Sequence, residues 1–137
     1  MWSPLAGGFL SGKFTRENQN GEGRRAKFDF PPIDKEKAFR IIDVLAGLGE
    51  KHDCSPARIA LAWLLAQPSV TSVIIGARRM DQLVDNVKAG DLVLSAEELG
   101  KLEEVSRLSP EYPGWMIAAQ LSDRMPGTKR PIPVRNS

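Results

Sequence analysis

The sequence predicts a parallel α/β fold, and three observations carry that prediction. A short run rich in β-branched residues, Val70 to Ile75, ends on the apolar triplet Val73-Ile74-Ile75 and reads as a parallel-sheet strand covered on both faces. Helical stretches flank it: apolar periodicity at 38–48, 83–87 and 99–108, and an almost wholly apolar run at 57–67. Glycine-containing turns, "SPLAGGFLSGK" and "GARR", stand where extended segments meet helical ones. Strand, helices, strand, helix is the order of parallel α/β architecture.

Taken in order, Trp2 to Leu5 reads as the stub of a strand and Ala6 to Lys13 as a turn or short helical loop. Phe14 to Pro32 is polar and aperiodic, a long loop of the kind that often serves as a lid or binding loop. Asp34 can cap the next helix, in which Ala38, Ile41, Ile42, Leu45 and Leu48 form one apolar face ending near His52. Ser55-Pro56 restarts the helix, with a hydroxyl at the N-cap and proline at the first helical position. "ARIALAWLLAQ" is apolar almost all round, which fits a helix buried on most sides. After the strand, Leu83, Val84 and Val87 give the following helix its inner stripe, and Gly90 suits its stop. "SAEE" is a capping box pairing Ser95 with Glu98 ahead of Leu99, Leu102, Val105 and Leu108. From Ser109 prolines recur and periodicity is lost, so residues 110–137 read as a proline-rich tail, irregular or partly disordered.

Composition narrows the class. A chain of 137 residues, 42% apolar, can fill one core. A net charge of +2 does not describe a nucleic-acid surface. No apolar run approaches the roughly 20 residues that span a bilayer, and the start lacks a leader pattern, so the cytosol is the expected compartment. Cys54 is the single cysteine, which excludes an internal disulfide and a cysteine zinc site. The chain opens almost directly on its glycine-rich turn and reads as a cut through a larger fold.

Two places invite an anion. Gly76 ends the apolar strand and lets a ligand approach the backbone, while the first turn of the next helix offers N–H groups and a positive dipole end. Arg78 and Arg79 add donors suited to phosphate. Gln82, Asp85 and Asn86 then set two amides and a carboxylate on one side, suited to an adenine edge or a ribose hydroxyl. The alternative is an ordinary turn with solvated arginines. In "SPLAGGFLSGK", Gly7, Gly12 and Lys13 imitate a phosphate-binding loop, but Phe14 stands where that motif needs Ser or Thr for magnesium.

Nothing else assembles into acid–base or nucleophilic chemistry. His52 reads as a solvated side chain between helices, Tyr112 lies in the tail, and Cys54 reads as a packing residue. Trp63 reads as core, whereas Trp2 can stack on a flat ring. The pairs Glu97/Glu98 and Glu103/Glu104 read as solvated helix faces.

"WSPLAGGFLSGKF" with "PARIALAWLLAQPSVTSVIIGARRMDQLVDNVKA" closely resembles the C-terminal part of aldo-keto reductases, nearest the branch of bacterial general reductases and potassium-channel β-subunits. The resemblance implies a (β/α)8 TIM barrel, of which residues 1–109 would be the last two βα units plus a terminal helix, incomplete as a barrel. It implies NADPH as cofactor. Trp2 matches the residue stacking on the nicotinamide. Ser3, Pro4, Leu5, Ala6 and Gly8 match the pyrophosphate loop, with Lys13 just beyond. Gly76, Arg78, Gln82, Asp85 and Asn86 match the set holding the adenosine 2′-phosphate and adenine, and Arg78 favours NADPH over NADH. The family's Asp–Tyr–Lys–His group, which reduces aldehydes and ketones, would lie in barrel sequence outside these residues, so no catalytic residue is assigned here. Three readings follow: a reductase fragment, acting on a small carbonyl substrate only within its parent; a non-catalytic NADPH-binding protein; or a half-barrel that self-associates through its uncovered surface.

Overall fold

The computed structural model describes residues 3–16, 18, 33–109 and 111–117. Four α-helices carry the fold: α1 (Lys35–Lys51), α2 (Pro56–Leu65), α3 (Met80–Val87) and α4 (Ala96–Ser106). Two 3-10 segments, Ala6–Ser11 and Lys88–Gly90, and a helical turn at 114–117 complete the regular structure of the described residues. The chain divides into two units, Met1–Ser106 and Arg107–Ser137. In the second, residues 114–117 are helical and the side chains of Tyr112, Trp115 and Ile117 are exposed.

Local chemistry starts each long helix. The Lys37 N–H donates to Asp34 Oδ1 at 3.1 Å, and the Arg58 N–H donates to Ser55 Oγ at 3.1 Å. Pro56 loses nothing at the first position of α2, where its absent N–H would have no helical partner. The capping box closes reciprocally: the Ser95 N–H donates to Glu98 Oε2 at 2.8 Å and the Glu98 N–H to Ser95 Oγ at 3.3 Å.

The core sits where α1 crosses α2 and α4. Leu45 and Leu48 of α1 meet Ile59, Ala60, Leu61 and Ala62 of α2, and Ala89, Leu94 and Leu102 close the cluster. Ile59 is wholly buried, and burying such a side chain contributes about 1.5–3 kcal/mol. A second cluster forms around Phe9, Phe14, Ala38, Phe39 and Ile42. The Phe9 and Phe14 rings stack at 4.9 Å. Phe14, expected at the head of a polar loop, is therefore core; residues 17 and 19–32 of that loop lie outside the described residues.

Three expectations change. No strand occurs among the described residues: 72–77 run without regular structure, because a strand exists only through bonds to a neighbour and no neighbouring strand is present among them. The strand faces are also unequal. Val73 and Ile75 pack on the core, whereas Ile74 is 69% exposed. Finally, the supposed inner stripe of α3 faces outward: Leu83, Val84 and Val87 are exposed together with Met80, since nothing among the described residues covers them.

The chain reversal between α1 and α2 requires a glycine. Cys54 N–H donates to the Gly49 carbonyl at 2.9 Å, and a Cβ on Gly49 would lie 2.7 Å from the Cys54 carbonyl oxygen.

Candidate functional site

The two candidate anion segments share a platform, for the Ala6–Ser11 turn and α3 both pack on α2. In the turn, Ala6, Gly7 and Gly8 take positive φ in succession (50°, 68° and 97°), a left-handed path open to glycine and strained for Ala6. The turn is held by its own donors. Ala6 N–H bonds the Ser3 carbonyl at 3.0 Å, Gly7 N–H bonds Ser3 Oγ at 3.2 Å, and Gly8 and Leu10 N–H bond the Leu5 carbonyl at 2.9 and 3.2 Å. Four amides that could face a pyrophosphate are thus engaged within the loop. What remains toward a ligand is open space beside Gly8 and the exposed Lys13. Pro4 instead lines an apolar cavity of about 90 Å³ with Leu10, Ile41, Trp63 and Leu102 among its walls. Trp2 lies outside the described residues.

At the second segment the two arginines part company. Arg79 folds back on Asp81, Nε to Oδ1 at 2.9 Å and Nη2 to Oδ2 at 2.5 Å. That bond raises the Arg79 guanidinium and holds the Asp81 carboxyl below its ordinary value. Arg78 is exposed and has no ion pair among the described residues. Gly76 beside it has open space where a side chain would stand. Arg79 is the N-cap of α3 and makes no side-chain cap bond there.

Farther along α3 the predicted set divides. Gln82 is half-buried and Asn86 is buried. Asp85 faces α2, where Arg58 Nη2 pairs with Oδ1 and Ser55 Oγ donates to Oδ2. Arg58 Nε adds a bond to the Asp85 main-chain carbonyl at 3.2 Å. Sequence reasoning gave Asp85 to a ligand and overlooked both partners. The available signal was Arg58 itself, the single charge in an otherwise apolar helix, which burial obliges to find a carboxylate.

A second polar network corrects two other readings. Glu98, expected on a solvated face, is 3% exposed, and His52, expected in solvent, is its partner. Lys51 Nζ lies 2.6 Å and His52 Nε2 2.9 Å from Glu98 Oε1. The Lys51 hydrogen bond, then the Ser95 amide, hold the Glu98 carboxyl far below the usual carboxylate range despite its burial. Burial pushes the Cys54 thiol up, against the pull of nearby Arg58. Among the described residues no cluster of metal-ligating side chains occurs, and no helix is long and apolar enough to cross a membrane.

Comparison with known proteins decides the lineage. Residues 1–107 match the model of the aldo/keto reductase family. The chain belongs to that family. As an aldo/keto reductase family chain it is 38% identical over 104 residues to the uncharacterized oxidoreductase YrpG of Bacillus subtilis, covering 76% of this chain and 30% of that protein. It is 33% identical over 116 residues to a probable voltage-gated potassium channel subunit beta of Oryza sativa, covering 80% and 35%. It is also 33% identical over 116 residues to aldo-keto reductase str7 of Strobilurus tenacellus, covering 82% and 34%. The chain thus spans about a third of the length of the curated relatives it matches. Family membership implies a TIM-barrel parent; the described residues of this chain are helix-rich.

Proposed function

We propose that this chain is the cofactor-holding C-terminal portion of an NADPH-dependent oxidoreductase that reduces aldehydes or ketones to alcohols in the cytosol. One observation carries the reading. Of two adjacent arginines ahead of α3, Arg79 is committed to Asp81 and Arg78 stands exposed beside the open backbone at Gly76. A guanidinium at a helix start, with room for close approach, suits a phosphate dianion. Arg78, Gly76 and Gln82 would hold the adenosine 2′-phosphate, and Lys13 would face the pyrophosphate. Bound NADPH would supply hydride; this chain's part is to bind and orient its nucleotide end.

Tryptophan fluorescence followed during titration with NADPH and with NADH tests the assignment. Tighter NADPH binding is expected, with the difference abolished in Arg78→Ala. Equal affinities in the unaltered chain would remove the case for a 2′-phosphate contact. The purified chain is expected to show no aldehyde reduction, and turnover free of contaminants would overturn the fragment reading.

A second reading has its own observation. Met80, Leu83, Val84 and Val87 recur at helical spacing on the exposed side of α3, with Ile74 and Val93 also exposed. We take a second copy of the chain as their cover. Sedimentation of a dimer that Val84→Lys dissociates is expected; a monomer at all concentrations would refute it.

A further inference from the structure

The Arg58–Asp85 pair between α2 and α3 bears on the phosphate site, resting on the reading that Arg78 receives the 2′-phosphate. Asp85 lies one turn beyond Gln82 on the same side of α3 and six residues past its N-cap Arg79, about 9 Å along the helix axis from the helix start. A free carboxylate there would repel a phosphate dianion, because charges at that distance are only partly screened at physiological salt. The structure does not leave it free. Arg58 pairs with Oδ1 and reaches the Asp85 carbonyl at 3.2 Å, while Ser55 Oγ holds Oδ2. Ser55 is fixed in turn as the N-cap of α2, accepting the Arg58 N–H at 3.1 Å. Both side chains of the pair are largely withdrawn from water, at 20% and 27% exposure, which strengthens their coupling.

We infer that Arg58 is a positioning and charge-neutralising residue that sets the preference of this site for a phosphorylated dinucleotide. It touches neither cofactor nor substrate. It cancels the Asp85 charge and aims that carboxylate at α2, so that Arg78 alone determines the sign of the field at the start of α3. The proposal concerns discrimination between the two dinucleotides, beyond cofactor binding itself.

The test measures the ratio of NADH to NADPH dissociation constants for the full 137-residue chain, with far-UV circular dichroism on every variant. Arg58→Gln is expected to lower the ratio about fivefold by exposing the Asp85 charge to the phosphate. The double variant Arg58→Gln/Asp85→Asn is expected to restore the ratio to within about twofold of the unaltered chain, since no uncancelled carboxylate remains. Asp85→Asn alone should match or exceed the unaltered ratio, and it keeps the proposal open to refutation if Arg58→Gln does not fold. A purely structural Arg58 would weaken both dinucleotides alike, leave the ratio unchanged and show no rescue; that result overturns the inference. A lower ratio in Asp85→Asn overturns it as well. Absence of any NADPH preference in the unaltered chain would instead bring down the underlying Arg78 reading, and this inference with it.

Discussion

Replacing Glu98 separates two roles that one carboxylate performs. Its Oε2 accepts the Ser95 N–H and so caps α4, while its Oε1 receives Lys51 and His52 from the end of α1. Glutamine keeps an acceptor for the cap but loses the charge. Lys51 is largely in water and its share is screened, so the loss falls mainly on the half-buried His52 contact and amounts to about 1 kcal/mol. Alanine removes the cap as well, adding about 1 kcal/mol for a total near 2. Urea unfolding followed by circular dichroism should therefore rank the unaltered chain above Glu98→Gln, and that above Glu98→Ala. Acid provides an independent check. A carboxyl held low in the folded state contributes stability that is complete above its ordinary value of 4.5 and is lost as pH falls toward the folded value. Between about pH 5 and about pH 3 the unaltered chain should lose more stability than Glu98→Gln, which cannot titrate there. Equal stability of the three chains within about 0.5 kcal/mol, or an acid response unchanged in Glu98→Gln, would refute the reasoning.

Two glycines of α1 should answer oppositely to alanine. At Gly47 a Cβ meets nothing, so Gly47→Ala should stabilise by up to about 1 kcal/mol. At Gly49 the same atom would press on the Cys54 carbonyl, and Gly49→Ala should destabilise by about 1–3 kcal/mol; denaturant midpoints would show both signs. Ile59→Ala empties a site with no exposure in the centre of the core and should cost about 2–5 kcal/mol, read as a lowered thermal midpoint.

What could be read in the sequence was chemistry completed within a few residues. Asp34 with Lys37, Ser55 with Arg58, and Ser95 with Glu98 are each three positions apart, and all three helix starts lie where those patterns put them. The apolar periodicity of 38–48 likewise found the buried face of α1. Partners distant in the chain left no such trace. Glu98 meets Lys51 and His52 across 47 and 46 residues, and Asp85 meets Arg58 across 27. Periodicity also shows that α3 has an apolar side without showing whether anything covers it, which is why Leu83, Val84 and Val87 were expected inside. At the candidate site Arg78 and Gly76 are exposed, whereas amides of the Ala6–Ser11 turn donate to oxygens of Ser3 and Leu5. That internal bonding depends on backbone angles, to which residue types are only a loose guide.

Residues 73–75 lie on the helical core through alternate side chains, Val73 and Ile75 inward and Ile74 outward, with no strand ladder among the described residues. Because side chains alternate with period two, any neighbouring strand laid beside this segment would keep its apolar residues toward the helices after a slip of two positions but not after a slip of one. Register at this place is therefore a matter of parity: only even displacements preserve the inward set that Val73 and Ile75 begin.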